Sequence, residues 1–473
     1  MTQHPKTLIA AAALVFLSGC ASLSPDGGLQ DVASLSAGKT AGVDATLARA
    51  DTAATRAAVA ELLQKPITAE AAVRIALLNN PGLHAAMATL GVSDAERVQA
   101  GSLPNPHFSI GRFTEGSKVE IERGLGFNVI GLLSLPWRAQ WQDQQHERAK
   151  LQAAQEVIQV ANDTRKAWIN AVAAQQTASY MADAKLAAEA SGELARRLAR
   201  VGNWSRLAQA REQVFLADAA ATQARAQHNA VVQREKLIRL MGLWGQQTEF
   251  TLSERLPALP KAAVDQGNVE ARALSERLDV RSTMAQARYV ASTMGYARAN
   301  GIINALDLSY QRNTTFDNAA GSKETKSGWE LELPLPLFDW GGANAARSEA
   351  LYMQSVARVR EAAIKARSEA REAYHAYRTA YDLARHYQDE IVPLRKFIND
   401  ETLLRYNGML DSAFDLLADT RQNIAAVNAA IEAQRDFWLA DTDLLTTLTG
   451  FSSGANTMMK SGAMQGNGEG KGH

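Results

Sequence analysis

"WELELPLPLFDWGG", residues Trp329–Gly342, decides the fold. Trp329, Leu331 and Leu333 alternate with Glu330 and Glu332, the two-residue period of a strand with one apolar and one polar face. Pro334, Pro336 and the pair Gly341 and Gly342 then end the strand, and a long helical pattern follows. Such a strand needs surroundings that offer oil on one side and water on the other.

The pattern recurs upstream. Phe108 and Ile110 alternate with Ser109 and Gly111, and Val119 and Ile121 alternate with Lys118, Glu120 and Glu122. Apolar odd positions continue through Leu125, Phe127, Val129, Leu133 and Leu135, while Leu306, Leu308 and Tyr310 alternate with Asp307, Ser309 and Gln311. The expectation is four strands, two within about 105–136 and two within about 304–338, each of roughly the ten residues that span an outer membrane as barrel strands. Four strands cannot close a barrel, because lipid leaves no edge unpaired and single-chain bacterial barrels begin at eight. Three copies give about twelve, so the pattern predicts a homotrimer with a twelve-stranded barrel. A small soluble sheet packed on helices is the alternative. Trp137, Trp141, Trp329 and Trp340 near the strand ends suit an interfacial aromatic girdle or, equally, core packing.

The rest of the chain is helical. No proline lies between Pro136 and Pro257, and from Pro336 onward only Pro393 intervenes. A tract from Trp137 to Val201 could extend about 100 Å if continuous. Gly202 breaks it, and a second helix runs from about Ser205 to Leu240. The layout then repeats. Gly202 answers Gly408 at an offset of 206, Gly242 answers Gly450 at 208, and Phe108 answers Leu308 and Pro136 answers Pro336 at 200. "ALLNNPGL" from Ala76 likewise answers "ALSERLDV" from Ala273. Matches kept in order along the whole chain indicate an internal duplication, each half reading helix, strand, strand, long helix, turn, helix.

Composition narrows the function. Fifty basic and fifty acidic residues leave no formal charge, which gives no footing for nucleic acid. No zinc-protease HExxH, P-loop or nucleophile elbow occurs, and no enzyme activity is expected. The single cysteine, Cys20, excludes an internal disulfide. It follows "KTLIAAAALVFLSG", a basic residue and an apolar run too short to span a bilayer, which reads as a secretory signal over residues 1–19. Leu17-Ser18-Gly19-Cys20 resembles the lipobox of bacterial lipoproteins, with Cys20 as the acylated residue; an ordinary signal with an incidental cysteine is the other possibility. Ala21 and Ser22 lack the aspartate that retains such proteins in the inner membrane, so the outer membrane is the expected destination. Residues 20–65 form the lipid-anchored segment, with "SLSPDGG" as a tether. The first repeat covers 66–257, with helices about 137–242, and the second 258–451, with helices about 342–450. A disordered tail takes up 452–473.

The lipobox at Cys20, "ALLNNPGL", "SLPNPHFS", "LPLPLFDWGG", "RYNGMLDSAFDLLADTRQ" and the "LTG" at Leu448 to Gly450 resemble the TolC-like outer membrane factors, in their lipoprotein branch with OprM-like and CusC-like members. The resemblance covers about 65 to 450. It implies a trimer with a β-barrel in the outer membrane and an α-helical tunnel in the periplasm. It also implies a passive exit duct for small molecules or metal ions, docked by a periplasmic adaptor and powered by an inner-membrane transporter, most simply of the RND type. A type I protein-secretion duct and a lipid-anchored helical adaptor are the competing functions. No cofactor is expected beyond the lipid on Cys20.

On this reading the turns at Gly202 and Gly408 lie at the periplasmic mouth, where the adaptor makes contact. Asp411, Asp415 and Asp419 fall at i, i+4 and i+8 and are expected to project from one side of the following helix. Their counterparts at offset 206, Ser205, Gln209 and Gln213, are neutral. Facing a lumen, the aspartates narrow it and favour cations. The other reading is a helix start, with Asp411 as N-cap, Asp415 favoured by the dipole and Asp419 solvated. The family likeness implies a constriction from acidic residues just after an "RYxxG" turn, whose "RY" matches Arg405 and Tyr406. The "DLL" aspartate sits one residue further from Gly408 than that pattern has it. Met458, Met459, Met464 and His473 in the tail include soft ligands suited to copper or silver.

Overall fold

The computed structural model describes residues 22–40, 42–44, 47–48, 50–299, 306–333, 338 and 340–451. Cys20, the prolines Pro334 and Pro336 and the methionines of the tail lie outside the described residues.

The elements follow in order: α1 (Leu29–Ser36), α2 (Ala53–Leu62), α3 (Ala69–Asn79), α4 (Pro81–Ala100), β1 (His107–Glu115), β2 (Lys118–Asn128), α5 (Val129–Leu133), α6 (Leu135–Arg200) and α7 (Arg206–Met241). A 3₁₀ turn at Gly245–Thr248 precedes α8 (Val269–Glu276), α9 (Leu278–Ala299), β3 (Asp307–Asp317), β4 (Ser322–Glu332), α10 (Gly342–His386), a π turn (Tyr387–Ile391), α11 (Val392–Asn407) and α12 (Ala413–Thr449). The series α3, α4, β1, β2, α6, α7 is thus repeated by α8, α9, β3, β4, α10 with α11, and α12. Pro393 has no N–H to donate to the preceding turn, and the π turn just before it is where the second repeat's long helix accommodates that loss.

The chain divides into two compact units. One comprises the described residues of Met1–Gln30 with Ala88–Gln152 and Ser282–Ala362; the other comprises those of Asp31–Met87, Ala153–Arg281 and Ala363–His473. The first holds a single antiparallel sheet of order β1-β2-β3-β4. Two hairpins turn at Gly116 and Gly321, both with positive φ, and the register between β2 and β3 joins the repeats directly, Arg123 opposite Arg312 and Phe127 opposite Leu308. Among the described residues the outer edges of β1 and β4 have no partner strand.

The strands stop earlier than the alternation of residues 129–135 predicts. Asn128 caps α5 by accepting the Gly131 N–H, so Val129 and Leu133 lie in a short helix, and Leu135 opens α6 with Pro136 in its first turn, where a fixed φ favours a helix start. The "SLSPDGG" tether is also not loose. The Ser24 N–H donates to Asp94 Oδ2 at 2.8 Å, and Arg97 pairs with Asp94 at 2.8 Å. Asp26 accepts from the N–H groups of Gln30 and Gly28 and from the Ser24 hydroxyl, which hold its carboxyl down at about 2. Local side-chain acceptors give this polar segment a defined path that composition does not reveal.

In the second unit the core joins helices of both repeats. Ile67 and Ile75 of the first repeat's entry pack with Trp168 and Val172 of α6, Leu237 and Met241 of α7, and Ile431 of α12. The Trp168 indole donates to the Ile67 carbonyl at 2.8 Å, so a large apolar ring is buried with its one polar atom satisfied. Asn79 Nδ2 donates to the Gly242 carbonyl at 2.8 Å, and a Cβ at Gly242 would come within 2.5 Å of the Asn79 carbonyl oxygen, so that close approach requires glycine. The second repeat's cluster centres on Phe437, between the rings of Tyr377, Tyr381 and Trp438 at 5.0–5.6 Å.

Candidate functional site

Two places stand out: the faces of the sheet and the helical turns. Along the sheet His107, Ser109, Glu122, Gln311, Glu330 and Glu332 share one face. The other carries a row of Phe108, Leu125, Tyr310 and Trp329 directly opposite one another, with Phe127, Leu308 and Leu331 beside it. Most of these apolar side chains are exposed in the single chain; Trp329 and Leu331 keep 69% and 63% of their surface. An antiparallel sheet with one apolar and one acidic face, both exposed, has no hydrophobic core of its own to justify the apolar side.

The turns lie in the second unit and share a geometry. After α6 the Gly202 N–H donates to the Ala199 carbonyl and the Asn203 N–H to that of Leu198, with Gly202 at φ 80°. After α11 the Met409 N–H donates to the Tyr406 carbonyl and the Leu410 N–H to that of Arg405, with Met409 at φ 61°. These are two copies of the helix-ending motif whose key residue is left-handed. Ser205 and Ser412 then cap α7 and α12, each accepting from the N–H three residues on, Ala208 and Asp415. The repeats therefore align at an offset of 207 here, and Gly202 corresponds to Met409, not to Gly408, which has φ −80°. Measured from the left-handed residue Met409 rather than from Gly408, the "DLL" aspartate, Asp415, is one residue closer to the turn.

The corrected register also changes the acidic stripe. Asp411 precedes the N-cap and lies outside the helix, so the three aspartates do not project from one helical face. Arg405 donates to Asp411 at 2.8 Å, and the carboxylate holds the Arg405 guanidinium above its usual range. Asp415 closes a capping box with Ser412, whose hydroxyl and then N–H hold its carboxyl below the ordinary range; it stays exposed. Asp419 accepts from the Thr402 hydroxyl at 2.8 Å. Tyr406 is half-buried, and Gly202, Arg405 and Gly408 are exposed. The first-repeat counterparts of Asp411, Asp415 and Asp419 at the offset of 207 are Trp204, Ala208 and Glu212, so one of the three is acidic.

Glu212 is the residue that sequence reasoning missed. Its carboxylate is buried, accepts from the Ser191 hydroxyl at 2.7 Å and pairs with Arg421 of α12. Arg421 also lies over the Phe215 ring at 4.3 Å, and Trp204 stacks on Phe414 with centroids 4.3 Å apart. These contacts fasten the start of α12 to the start of α7. The usable signal was the 207-residue register, which pairs Glu212 with Asp419.

No protein-family model and no curated protein sequence matches the chain. Among solved structures it is similar to the CmeC outer membrane channel of Campylobacter jejuni, at 16% identity and TM-score 0.69 over 84% of this chain and 89% of that one. It is also similar to the MtrE outer membrane channel of Neisseria gonorrhoeae in its open state, at 18% identity and TM-score 0.65 over 80% and 88%. A third is the outer membrane protein VceC of Vibrio cholerae, at 16% identity and TM-score 0.65 over 84% and 97%. The chain has their fold: a mainly helical chain with a small four-stranded antiparallel sheet, the TolC-like arrangement.

Proposed function

We propose that the chain is a TolC-like outer membrane factor, one protomer of a trimeric outer-membrane channel that serves a tripartite efflux pump as its passive exit duct. The observation that carries this is the sheet, which exposes an apolar face, an acidic face and two unpaired edges in one chain. Lipid requires every backbone group to be paired, so three such sheets joined edge to edge make a closed wall, apolar outside and acidic within. The shared fold with outer membrane channels supports the same reading. A lipid on Cys20 anchors each protomer. The helical turns meet a periplasmic adaptor through the exposed Leu410, Met409 and Leu207, and the adaptor links the duct to an inner-membrane transporter. The cargo is small molecules or metal ions, with cations favoured by the acidic lumen.

Asp415 is the constriction residue on this reading, because its carboxylate stays exposed while bonded only to Ser412 of its own turn, whereas Asp411 and Asp419 are half-buried against Arg405 and Thr402. The test is reconstitution in planar bilayers. Discrete channels whose cation preference falls on Asp415→Ala are the expected result. A protein that is monomeric in detergent and forms no channels overturns the duct.

A further inference from the structure

The apolar face of the sheet is interrupted by arginine. One row beyond Phe108, Leu125, Tyr310 and Trp329, towards the hairpin turns at Gly116 and Gly321, the same face carries Ile110, Arg123, Arg312 and Ser327. Arg123 and Arg312 are direct cross-strand partners. In the following row Arg112 stands opposite Ile121, which places it diagonally from Arg123. Three guanidinium groups thus occupy three adjacent strands, about 5 Å apart from strand to strand. All three are exposed, and none has an ion-pair partner among the described residues. The nearby carboxylates, Glu122, Glu324 and Glu330, belong to the opposite face.

That arrangement is unfavourable alone, since like charges directly opposite one another destabilise a sheet. It also interrupts a surface that is otherwise suited to lipid. Both features are accounted for if an anion sits across the three strands. Tyr310 and Trp329, 5.2 Å apart, have the amphipathic character of residues at a membrane interface, so the next row outward is at headgroup depth. Guanidinium is the side chain that binds phosphate oxygens in pairs. On the reading of these strands as membrane-spanning, we infer that Arg112, Arg123 and Arg312 form a binding site for the phosphorylated headgroup of a membrane lipid in the leaflet around the hairpin turns. Lys323, one further row out and 5.4 Å from the Phe316 ring, flanks it.

The test is native mass spectrometry of the full-length protein in detergent, titrated with bis-phosphorylated lipid A, its dephosphorylated counterpart and inorganic phosphate. The wild type is expected to retain the bis-phosphorylated lipid about tenfold better than the dephosphorylated one, and R112Q/R123Q/R312Q is expected to lose that preference. A triple lysine variant keeps part of it. Equal retention of the two lipids by the wild type overturns the site whether or not the glutamine variant folds, as does an unchanged preference in a folded variant. Displacement of the lipid by millimolar phosphate assigns the arginines to a soluble anion and overturns the lipid assignment. Cysteine labelling at Leu331 and Phe127 in nanodiscs separates the two levels. Labelling by a water-soluble reagent defeats the membrane reading itself, and protection without phosphate preference defeats only this inference.

Discussion

The two helical turns have one backbone and two sets of side chains. Gly202 and Met409 both take the left-handed conformation, both turns make the same pair of helix-ending bonds, and Ser205 and Ser412 cap the helices that follow. Around that frame, at the offset of 207, Ala208 stands in the place of Asp415, Glu212 in that of Asp419 and Val214 in that of Arg421. The lesson is that the duplication is preserved where backbone hydrogen bonds dictate it and lost where side chains make contacts particular to one repeat. The junctions at the other end of the helices differ in the same way. Asn80 satisfies the first repeat with a hydrogen bond of 2.8 Å to the Leu240 carbonyl. Arg277, its counterpart, is almost fully buried and pairs with Asp279 at 2.6 Å and Glu369 at 2.9 Å. Burial alone disfavours the Arg277 charge, but its two carboxylates more than offset that and hold its pKa above the usual range.

The largest expected effect tests that junction. Removing a buried guanidinium takes away two charge-assisted contacts, to Asp279 and Glu369, so Arg277→Ala is expected to lower stability by about 3 kcal/mol, the low end for buried pairs because both carboxylates keep contact with water. Asn80→Ala loses two neutral hydrogen bonds, one donated to the Leu240 carbonyl and one accepted from the Leu83 N–H, and is expected to cost about 2 kcal/mol. Thermal unfolding of the two variants in detergent measures both, and equal losses would show the two junctions to be energetically alike.

The tip comes next. Arg421→Ala leaves the buried Glu212 with only the Ser191 hydroxyl, a loss of roughly 2 kcal/mol by the scale of charged hydrogen bonds. Val214→Ala, the matching change in the first repeat, trims an exposed side chain and is expected to stay within about 0.5 kcal/mol. Because Arg421 also holds α12 to α7 through Phe215, its loss is expected to raise single-channel conductance, and Val214→Ala to leave it unchanged.

How much of this was legible follows the same division. Alternation in "HFSIGR", "KVEIE", "LDLSYQ" and "WELEL" located all four strands, since a period of two is a direct imprint of a two-faced sheet. Val129 to Leu135 imitated that period but formed helix, because Asn128 and Pro136 supply start signals that an apolar count ignores. Glycine marked the turns, and there it misled by one residue: Gly408 is the visible glycine, but the left-handed residue is Met409. That slip moved every counterpart of the acidic stripe and hid Glu212. The Arg123 and Arg312 pair was invisible for a different reason, since only the register between distant strands brings the two together.

A smaller effect probes the slip itself. A side chain in the left-handed region costs on the order of 1 kcal/mol that glycine avoids. Met409→Gly is therefore expected to stabilise the protein by up to about 1 kcal/mol, and Gly202→Ala to destabilise it by a similar amount, both read from shifts in unfolding temperature. If Gly408→Ala proves the more damaging change, the register of 206 is restored and the pairing of Glu212 with Asp419 fails.

The smallest effect separates the two caps by pH. Ser412 shares its capping box with a carboxylate whose pKa is held below its ordinary 3.8, whereas Ser205 caps an alanine N–H and has nothing there to titrate. A carboxyl with a lowered folded pKa contributes its stability above the unfolded value and loses it as pH falls through the folded one. Acidification below about pH 4 is therefore expected to loosen the start of α12 and leave the start of α7 unchanged. Amide exchange at residues 412–416 against 205–209, corrected for intrinsic rates, reports the difference. Because Asp415 is fully exposed the effect is local rather than global, and Asp415→Asn, which cannot ionise, should abolish the pH dependence at the second turn alone.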